Sequence, residues 1–356
     1  MSLLSLEGSE WQNVRTKYQD RRVLVTGGAS FISSHMVEAL VTLGAHVRIA
    51  DDLSSGRLDH LESVKDDVEI CIGDLRDASF TQHALDDVEI VFHMAADHGG
   101  RGYIETHPVE CLGNMALDYV VFSAAAQSGV ERIVHASSAC AYPVGLQDDA
   151  SDRTLLSEDQ AGFDVAGQAF ADGAYGWAKL MGEYQLANVV SQFGVGGVSC
   201  RIFTAYGERE NESHAVVALM AKAFRHLDPY PVWGDGTQTR NFTYVADTAT
   251  GILLAGAKLC EPGTFDVLNV GTDVHSTIND LIEQIFKSAK WHPQEINYEL
   301  DKPVGVKSRA ADCTKSLNLL GWRPSISLEE GVRTTYEWYA NSANELDDLD
   351  HLLMSR

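Results

Sequence analysis

RVLVTGGASFISSHMVEALVTLGAHVRIAD, residues 22–51, decides the fold. Residues 22–26 form a short β-branched run that ends in Gly27-Gly28. Residues 32–43 then place Ile32, Met36, Val37, Ala39, Leu40 and Leu43 at helical spacing, and Gly44 stands where a helix commonly closes. Residues 47–50 make a second apolar run ending in Asp51-Asp52, which completes a strand–helix–strand unit. Outward from it the pattern repeats. Residues 69–72 precede Gly73-Asp74-Leu75, residues 89–93 precede Ala95-Ala96, and residues 132–136 precede Ser137-Ser138. Short apolar runs alternating with helical periods predict an α/β fold with a doubly wound parallel sheet buried on both faces. The alternation continues through 197–203 and then gives way to polar, Gly- and Pro-containing stretches at 207–214 and 229–241, which mark a smaller second domain.

The chain has 356 residues, enough for two domains or one large one. Its 51 acidic and 27 basic side chains leave a formal charge of −24, which repels phosphate backbones and anionic lipid. A general nucleic-acid or membrane-surface binder is therefore not expected, and an anionic substrate needs a local basic pocket. Six cysteines, at 71, 111, 140, 200, 260 and 313, show no paired spacing, so neither a metal site nor a disulfide framework is expected. No leader-like apolar run opens the chain and no stretch reads as a membrane span, so the expectation is a cytoplasmic protein. Residues 341–350 are acid-rich and read as part of a fraying tail over 341–356.

The first strand–helix turn needs small residues so that the backbone can approach a pyrophosphate resting on the helix N-terminus. Here it reads Gly27-Gly28-Ala29-Ser30-Phe31-Ile32-Ser33, with serine at two positions where such turns usually carry glycine. Ser33 is a mild change, because that glycine mainly permits close packing. Ser30 either crowds the pyrophosphate and widens the turn, or donates a hydrogen bond to it. Asp51, 24 residues past Gly27, stands at the end of the second strand, where its carboxylate can accept from ribose hydroxyls and repel a 2′-phosphate. NAD is thus expected in preference to NADP. Asp74, Leu75 and Ala95 add positions along the same sheet edge. Residues 20–204, with later segments near 241–272, are expected to form a Rossmann-type NAD-binding domain, and residues 205–240 and 273–340 a smaller, discontinuous α/β substrate domain.

Tyr175-Gly-Trp-Ala-Lys179 puts a phenol and an ammonium on one helix face. A nearby cation, together with the positive nicotinamide ring, would depress the phenol enough for it to act as a base. Ser138 stands at the same sheet edge, placed to hydrogen-bond the oxygen being oxidised. Taken alone, each of these has an ordinary structural explanation; together with the nucleotide pattern they point to a redox site.

From about Arg22 to Tyr339 the chain resembles the extended short-chain dehydrogenase/reductase family of nucleotide-sugar enzymes. Four segments are similar to its GDP-mannose 3,5-epimerase branch: Ala95-Ala-Asp-His-Gly-Gly-Arg-Gly-Tyr103, Ser137-Ser-Ala-Cys-Ala-Tyr-Pro143, Trp233-Gly-Asp-Gly-Thr-Gln-Thr-Arg240-Asn-Phe-Thr243 and Gly305-Val-Lys-Ser-Arg309. The resemblance implies that Tyr175 takes the hydroxyl proton as hydride leaves sugar C4 for NAD, that Lys179 holds the cofactor ribose, and that Ser138 binds the C4 oxygen. It implies that Gly27, Ser30, Phe31, Ile32, Asp51, Asp74, Leu75 and Ala95 contact the cofactor, with Tyr175 and Lys179. Cys140 matches an acid/base that inverts a carbon next to the ketone. Gly99, Gly100 and Arg101 line the sugar, Arg240 and Arg309 face the diphosphate or nucleotide, and a homodimer is implied.

The departures are specific. The second acid/base of that branch is a lysine in the loop after a Tyr-Gly pair, but Tyr206-Gly-Glu-Arg-Glu-Asn-Glu-Ser-His214 contains none, which leaves His214 as the candidate. An asparagine two residues before that pair is Thr204 here. Ala139-Cys140 stand where the dehydratase branch carries an acid pair, which disfavours 4,6-dehydration. The leading reading is NAD-dependent epimerisation of a nucleotide-diphosphate sugar through a 4-keto intermediate. A nucleotide-sugar 4-epimerase, of UDP-glucose or UDP-glucuronate type, and a non-catalytic nucleotide-sugar-binding protein stand as alternatives.

Overall fold

A computed structural model describes residues 4, 6 and 8–345 of the chain. Helix α1 (Ser9–Tyr18) leads into β1 (Arg22–Thr26), α2 (Phe31–Thr42), β2 (His46–Asp51) and β3 (Val68–Ile72). Next come α3 (Ala78–Ala84), β4 (Ile90–His93), the short helices α4 (Arg101–Thr106) and α5 (Pro108–Leu112), then α6 (Asn114–Gln127) and β5 (Arg132–Ser138). The long α7 (Gly173–Phe193) precedes β6 (Gly196–Ile202), β7 (Ala205–Tyr206), α8 (Ala215–Phe224), β8 (Tyr230–Trp233), β9 (Thr239–Arg240) and β10 (Thr243–Tyr244). The chain continues through α9 (Val245–Lys258), β11 (Phe265–Val270), β12 (Ser276–Thr277), α10 (Ile278–Ala289), β13 (Ile296–Glu299), α11 (Thr314–Leu320) and α12 (Leu328–Glu345).

Seven strands form one parallel sheet in the order β11-β6-β5-β4-β1-β2-β3. Alternate residues of each strand feed two different cores. Val23 and Val25 pack with Phe92, Val134, Met36 and Leu40 on the side of α2 and α9. Leu24 packs with Val91, Ile133, Val121, Phe122 and Leu186 on the side of α6 and α7. Each such side chain contributes roughly 1.5–3 kcal/mol relative to exposure, which is why the strands read as continuous apolar runs. Strand order reverses between β1 and β4, and in sheets of this kind ligands bind in the crevice at the carboxyl edge of that point. Ser137 and Ser138 are the last residues of β5, where the sequence pattern puts them after it, because β5 stays paired with β6 as far as Ser138 and Ile202.

The second half of the chain divides between the two regions. Segment 241–272 contains α9, which packs on α2, and β11, which extends the large sheet beside β6. Three two-stranded ladders, β7 with β10, β9 with β12 and β8 with β13, form the frame of the smaller region. Its core is Leu281, Ile282, Ile285 and Phe286 of α10 against Tyr230 of β8 and Val332 and Tyr336 of α12. Helix α12 runs through Glu345, so the first residues of the expected tail are helical, and the rest of it lies outside the described residues. One sequence expectation needs correction: Pro108–Gln127 is long and apolar enough to cross a membrane by length and composition. In this fold Val121, Phe122 and Ala125 of that stretch line the core beneath the sheet.

Candidate active site

The turn after β1 owes its shape to two glycines. Gly27 has φ +63° and lies so close to the strand end of β4 that a Cβ would stand 3.0 Å from Ala95 Cα. A Cβ on Gly28 would stand 2.4 Å from Ile49 Cγ2. Ser30 makes no such demand: it is the N-cap of α2 with φ −83°, and its side chain makes no capping hydrogen bond. Ser33 is buried within α2. The two serines therefore occupy ordinary backbone, and Ser30 lines the cleft.

Gly27, Ser30, Asp51, Asp52, Asp74, Leu75, Arg76, Ala95 and Asn114 line this cleft. Asp51 Oδ2 accepts from the Ala29 amide at 3.0 Å and Oδ1 from the Leu53 amide at 2.8 Å, so the carboxylate ties β2 to the glycine turn. Burial raises its pKa. The Asp74 carboxylate is held by Arg76 at 2.8–3.1 Å, and that contact keeps it below the usual carboxylate range. Phe31 and Ile32, half-buried, pack against the core rather than opening into the cleft. A tight glycine turn, an uncapped helix N-terminus and a rim of carboxylates fit an unphosphorylated dinucleotide, NAD.

Helix α7 carries Tyr175 and Lys179 across the end of β5. Glycine again sets the distance: a Cβ on Gly176 would stand 2.1 Å from Cys140 O. Ser138 Oγ accepts from the Cys140 amide at 3.1 Å, which fixes the short turn bearing the thiol. The Lys179 ammonium stands 5.8 Å from the centroid of the Tyr175 ring. Sequence reasoning expects a depressed phenol, and the chain by itself shows the reverse. Burial pushes Tyr175 well above the ordinary phenol value, Cys140, Cys111 and Asp118 add to it, and only the neighbouring Ser138 hydroxyl pulls the other way. Burial likewise lowers Lys179. A bound nicotinamide ring would add its positive charge to that of Lys179.

Beyond Cys140, three guanidiniums gather round one carboxylate. Asp172, the N-cap of α7, accepts from Arg101 Nη1 at 3.0 Å and from Arg309 Nη2 at 3.1 Å instead of capping the helix. Burial alone would raise Asp172, but Arg309 and Arg101 outweigh it and hold it low. Arg309 also donates to Gln147 at 2.5 Å and to Cys140 Sγ at 3.4 Å. Arg240 is fixed by the carbonyls of Thr239 and Val304 at 2.7 and 2.8 Å, and burial with Arg309 beside it lowers it to about 9. The second ion pair of Arg101 is to Glu105 on its own helix.

His214 caps the start of α8, and its Nδ1 stands 3.2 Å from Glu210 Oε1, a buried carboxylate. The loop between them is clamped to the cofactor helix, because Arg209 donates to Ser34 at 3.2 Å and to Glu38 at 2.7 Å. A Cβ on Gly100 would stand 2.1 Å from Ser213 O, so that glycine lets this loop close over the turn after β4. Gly99 faces Tyr103 in the same turn. Thr204 contributes its carbonyl to the Thr243 amide at 2.8 Å and brings no side-chain hydrogen bond. Pairwise contacts thus bring Ser138, Cys140, Tyr175, Lys179, Arg101, Arg240, Arg309 and His214 into one cluster.

Sequence reasoning missed His98, Asp172 and Glu210. His98 lies 6.2 Å from the Tyr175 ring and 5.7 Å from His214, centroid to centroid. Part of its surface is exposed, yet desolvation by the surrounding protein, with His214 and Lys179 near, lowers its pKa. The signal was present, since His98 lies inside the segment 95–103 and Asp172 three residues before Tyr175, but neither spacing reveals where the side chain goes.

An all-parallel sheet with a glycine turn at its switch point defines a dinucleotide-binding α/β protein. The chain belongs to the NAD dependent epimerase/dehydratase family, which matches it over residues 23–271. It is 31% identical over 323 residues to GDP-mannose 3,5-epimerase 1 of Oryza sativa subsp. indica, covering 89% of this chain and 81% of that one. The structure of UDP-glucose 4-epimerase with UDP-glucose from Thermotoga maritima matches with a TM-score of 0.79 at 26% identity, covering 90% of this chain and 99% of that one. UDP-glucose 4-epimerase of Thermus thermophilus in complex with NAD matches with a TM-score of 0.75 at 25% identity, covering 89% and 98%. The family, the doubly wound sheet and NAD as the cofactor are as the sequence leads one to expect.

Proposed function

We propose that this chain epimerises a nucleotide-diphosphate sugar through a transient 4-keto intermediate, with inversion at C3 or C5 as in GDP-mannose 3,5-epimerase. The observation that carries this reading is Cys140, two residues past Ser138 and 3.4 Å from the Arg309 guanidinium, in place of the acid pair that dehydration requires. NAD, when bound, supplies the hydride acceptor and donor for C4. Ser138 hydrogen-bonds the C4 oxygen, Tyr175 handles its proton, and Lys179 stabilises the phenolate form of Tyr175. A ketone at C4 acidifies the ring protons on either side. The His214 imidazole, paired with the Glu210 carboxylate, takes such a proton while the electron pair moves to the C4 oxygen. The Cys140 thiol returns a proton to the opposite face, and Arg309 steadies the negative sulfur that remains. Solvent exchange then resets the imidazolium and the thiolate. Arg240 and Arg309 answer the diphosphate, and Arg101 lines the sugar.

Incubation in D₂O with GDP-mannose, UDP-glucuronate and UDP-glucose, followed by NMR and mass analysis, tests the reading. Deuterium at C3 or C5, lost in Cys140→Ala, is the expected result. A C4-inverted product without solvent deuterium makes the chain a 4-epimerase. No change with any of the three donors favours a binding protein.

The same reading includes a homodimer. Val109, Leu112, Tyr119, Trp177 and Tyr184 expose apolar surface along α5, α6 and α7, and surface of that kind is commonly covered by a second copy. Light scattering should give twice the chain mass, and Tyr119→Glu should shift it towards the monomer.

A further inference from the structure

A line of buried polar groups crosses the sheet beneath α7. Thr26 Oγ1, at the end of β1, accepts from the Met94 and Ala95 amides at 3.0 and 3.1 Å, which commits its proton to His93 Nδ1 at 2.8 Å. His93 is then neutral, and its Nε2–H donates to Asp118 Oδ1 at 3.0 Å. Asp118, on α6, is wholly buried, and its Oδ2 has no hydrogen-bond partner among the described residues. His135 Nε2 stands 3.7 Å from that oxygen, while His135 Nδ1 meets Ser199 Oγ at 3.1 Å. A buried carboxylate with one oxygen unsatisfied needs a cation close by.

Helix α7 is pressed against this oxygen. A Cβ on Gly182 would stand 2.4 Å from Asp118 Oδ2 and 2.8 Å from His135 Cε1. Lys179 is one turn back on the same face of α7 and is itself buried. The groups that interact with it are Asp118 from α6, His135 from β5, His98 from the turn after β4 and the Tyr175 ring on α7; His93 of β4 binds Asp118, Cys140 and Cys111 act on Tyr175, and Glu183 lies one turn further along α7. Glu183 is neutralised by Arg201 at 2.8 Å. Burial lowers His135 to about 3, so it is uncharged near neutral pH, and His98 is lowered as well. That leaves Asp118 as the anion opposite the ammonium.

We propose that Asp118 is a positioning residue for the reaction: it is the buried counter-ion that holds Lys179 in its protonated form. The proposal rests on the reading in which Lys179 holds the cofactor ribose and supports Tyr175. Burial disfavours the ammonium, and the nearby Asp118 carboxylate opposes it. Removing the carboxylate charge therefore lets Lys179 lose its proton at a lower pH.

Calorimetric titration of the full chain with NAD across a pH series checks this without needing the sugar. Asp118→Asn should lose affinity on the alkaline side with a midpoint about one pH unit or more below that of the parent chain. If Lys179→Ala abolishes binding while Asp118→Asn follows the parent curve at every pH, the proposal fails and the reading of Lys179 stands. If Lys179→Ala binds NAD as the parent does, both fail together. Should Asp118→Asn not fold, Lys179→Met tests the pair from the other side. Asp118 then lacks its cation and its pKa rises, so the Tm deficit of that variant should shrink between about pH 8 and about pH 5. A deficit that stays constant overturns the proposal.

Discussion

The two ends of the cleft handle charge in opposite ways. At the cofactor end the charge is acidic: Asp51 is spent on the amides of Ala29 and Leu53, and the one nearby cation, Arg76, is tied to Asp74. At the sugar end three guanidiniums converge, and Asp172 is the buried carboxylate among them. A net charge of −24 therefore says little about what this site attracts. Local desolvation decides, because charges removed from water interact far more strongly than those on the surface. On the proposed reading, the acidic end disfavours a 2′-phosphate and the basic end suits a diphosphate.

The largest effect should come where the ends meet. Tyr175→Phe removes the proton carrier and should lower turnover by about 10²–10⁴-fold with substrate binding retained. Steady-state kinetics that leave kcat intact would remove Tyr175 from the chemistry. Asp172→Asn should next disrupt the basic end by leaving two guanidiniums without their carboxylate, at a cost of roughly 3–5 kcal/mol in unfolding free energy. Its pH dependence has a definite sign. The folded-state pKa of Asp172 is depressed, so its contribution is present above the unfolded value and is lost as pH falls through the folded one. Acid titration of stability should thus be flatter in the variant.

Asp51→Asn should sharpen the contrast from the other side. It removes the charge that repels a 2′-phosphate, and the preference for NAD over NADP, read by calorimetry, should fall by about tenfold or more. An unchanged ratio would mean that Asp51 acts only through the backbone. The smallest effect is expected at Ser30. Its backbone is ordinary and its hydroxyl caps nothing, so Ser30→Gly should change stability by only a few tenths of a kcal/mol.

Much of the fold was legible because buried parallel strands and amphipathic helices write their periods directly into the chain, as residues 22–51 do. Gly27 could be read as a required glycine, and its φ of +63° agrees. Position 30 needs no glycine for its backbone, since φ there is open to any residue. The role of Gly176 and Gly182 could not be read at all. They matter only because a carbonyl from the turn after β5 and a carboxylate from α6 come within 2.1 and 2.4 Å of where a side chain would begin.

By itself, then, the sequence determined the doubly wound sheet, the glycine turn, the acidic residue after β2 and the pairing of Tyr175 with Lys179, all of them properties of near neighbours along the chain. The tertiary structure alone decided that Arg309 reaches Cys140 across 169 positions, that Asp172 answers two arginines instead of its own helix, and that His98 stands between Tyr175 and His214. The physical reason is range. Backbone periodicity acts over a few residues, whereas desolvation and charge pairing depend on which distant side chains share one small volume.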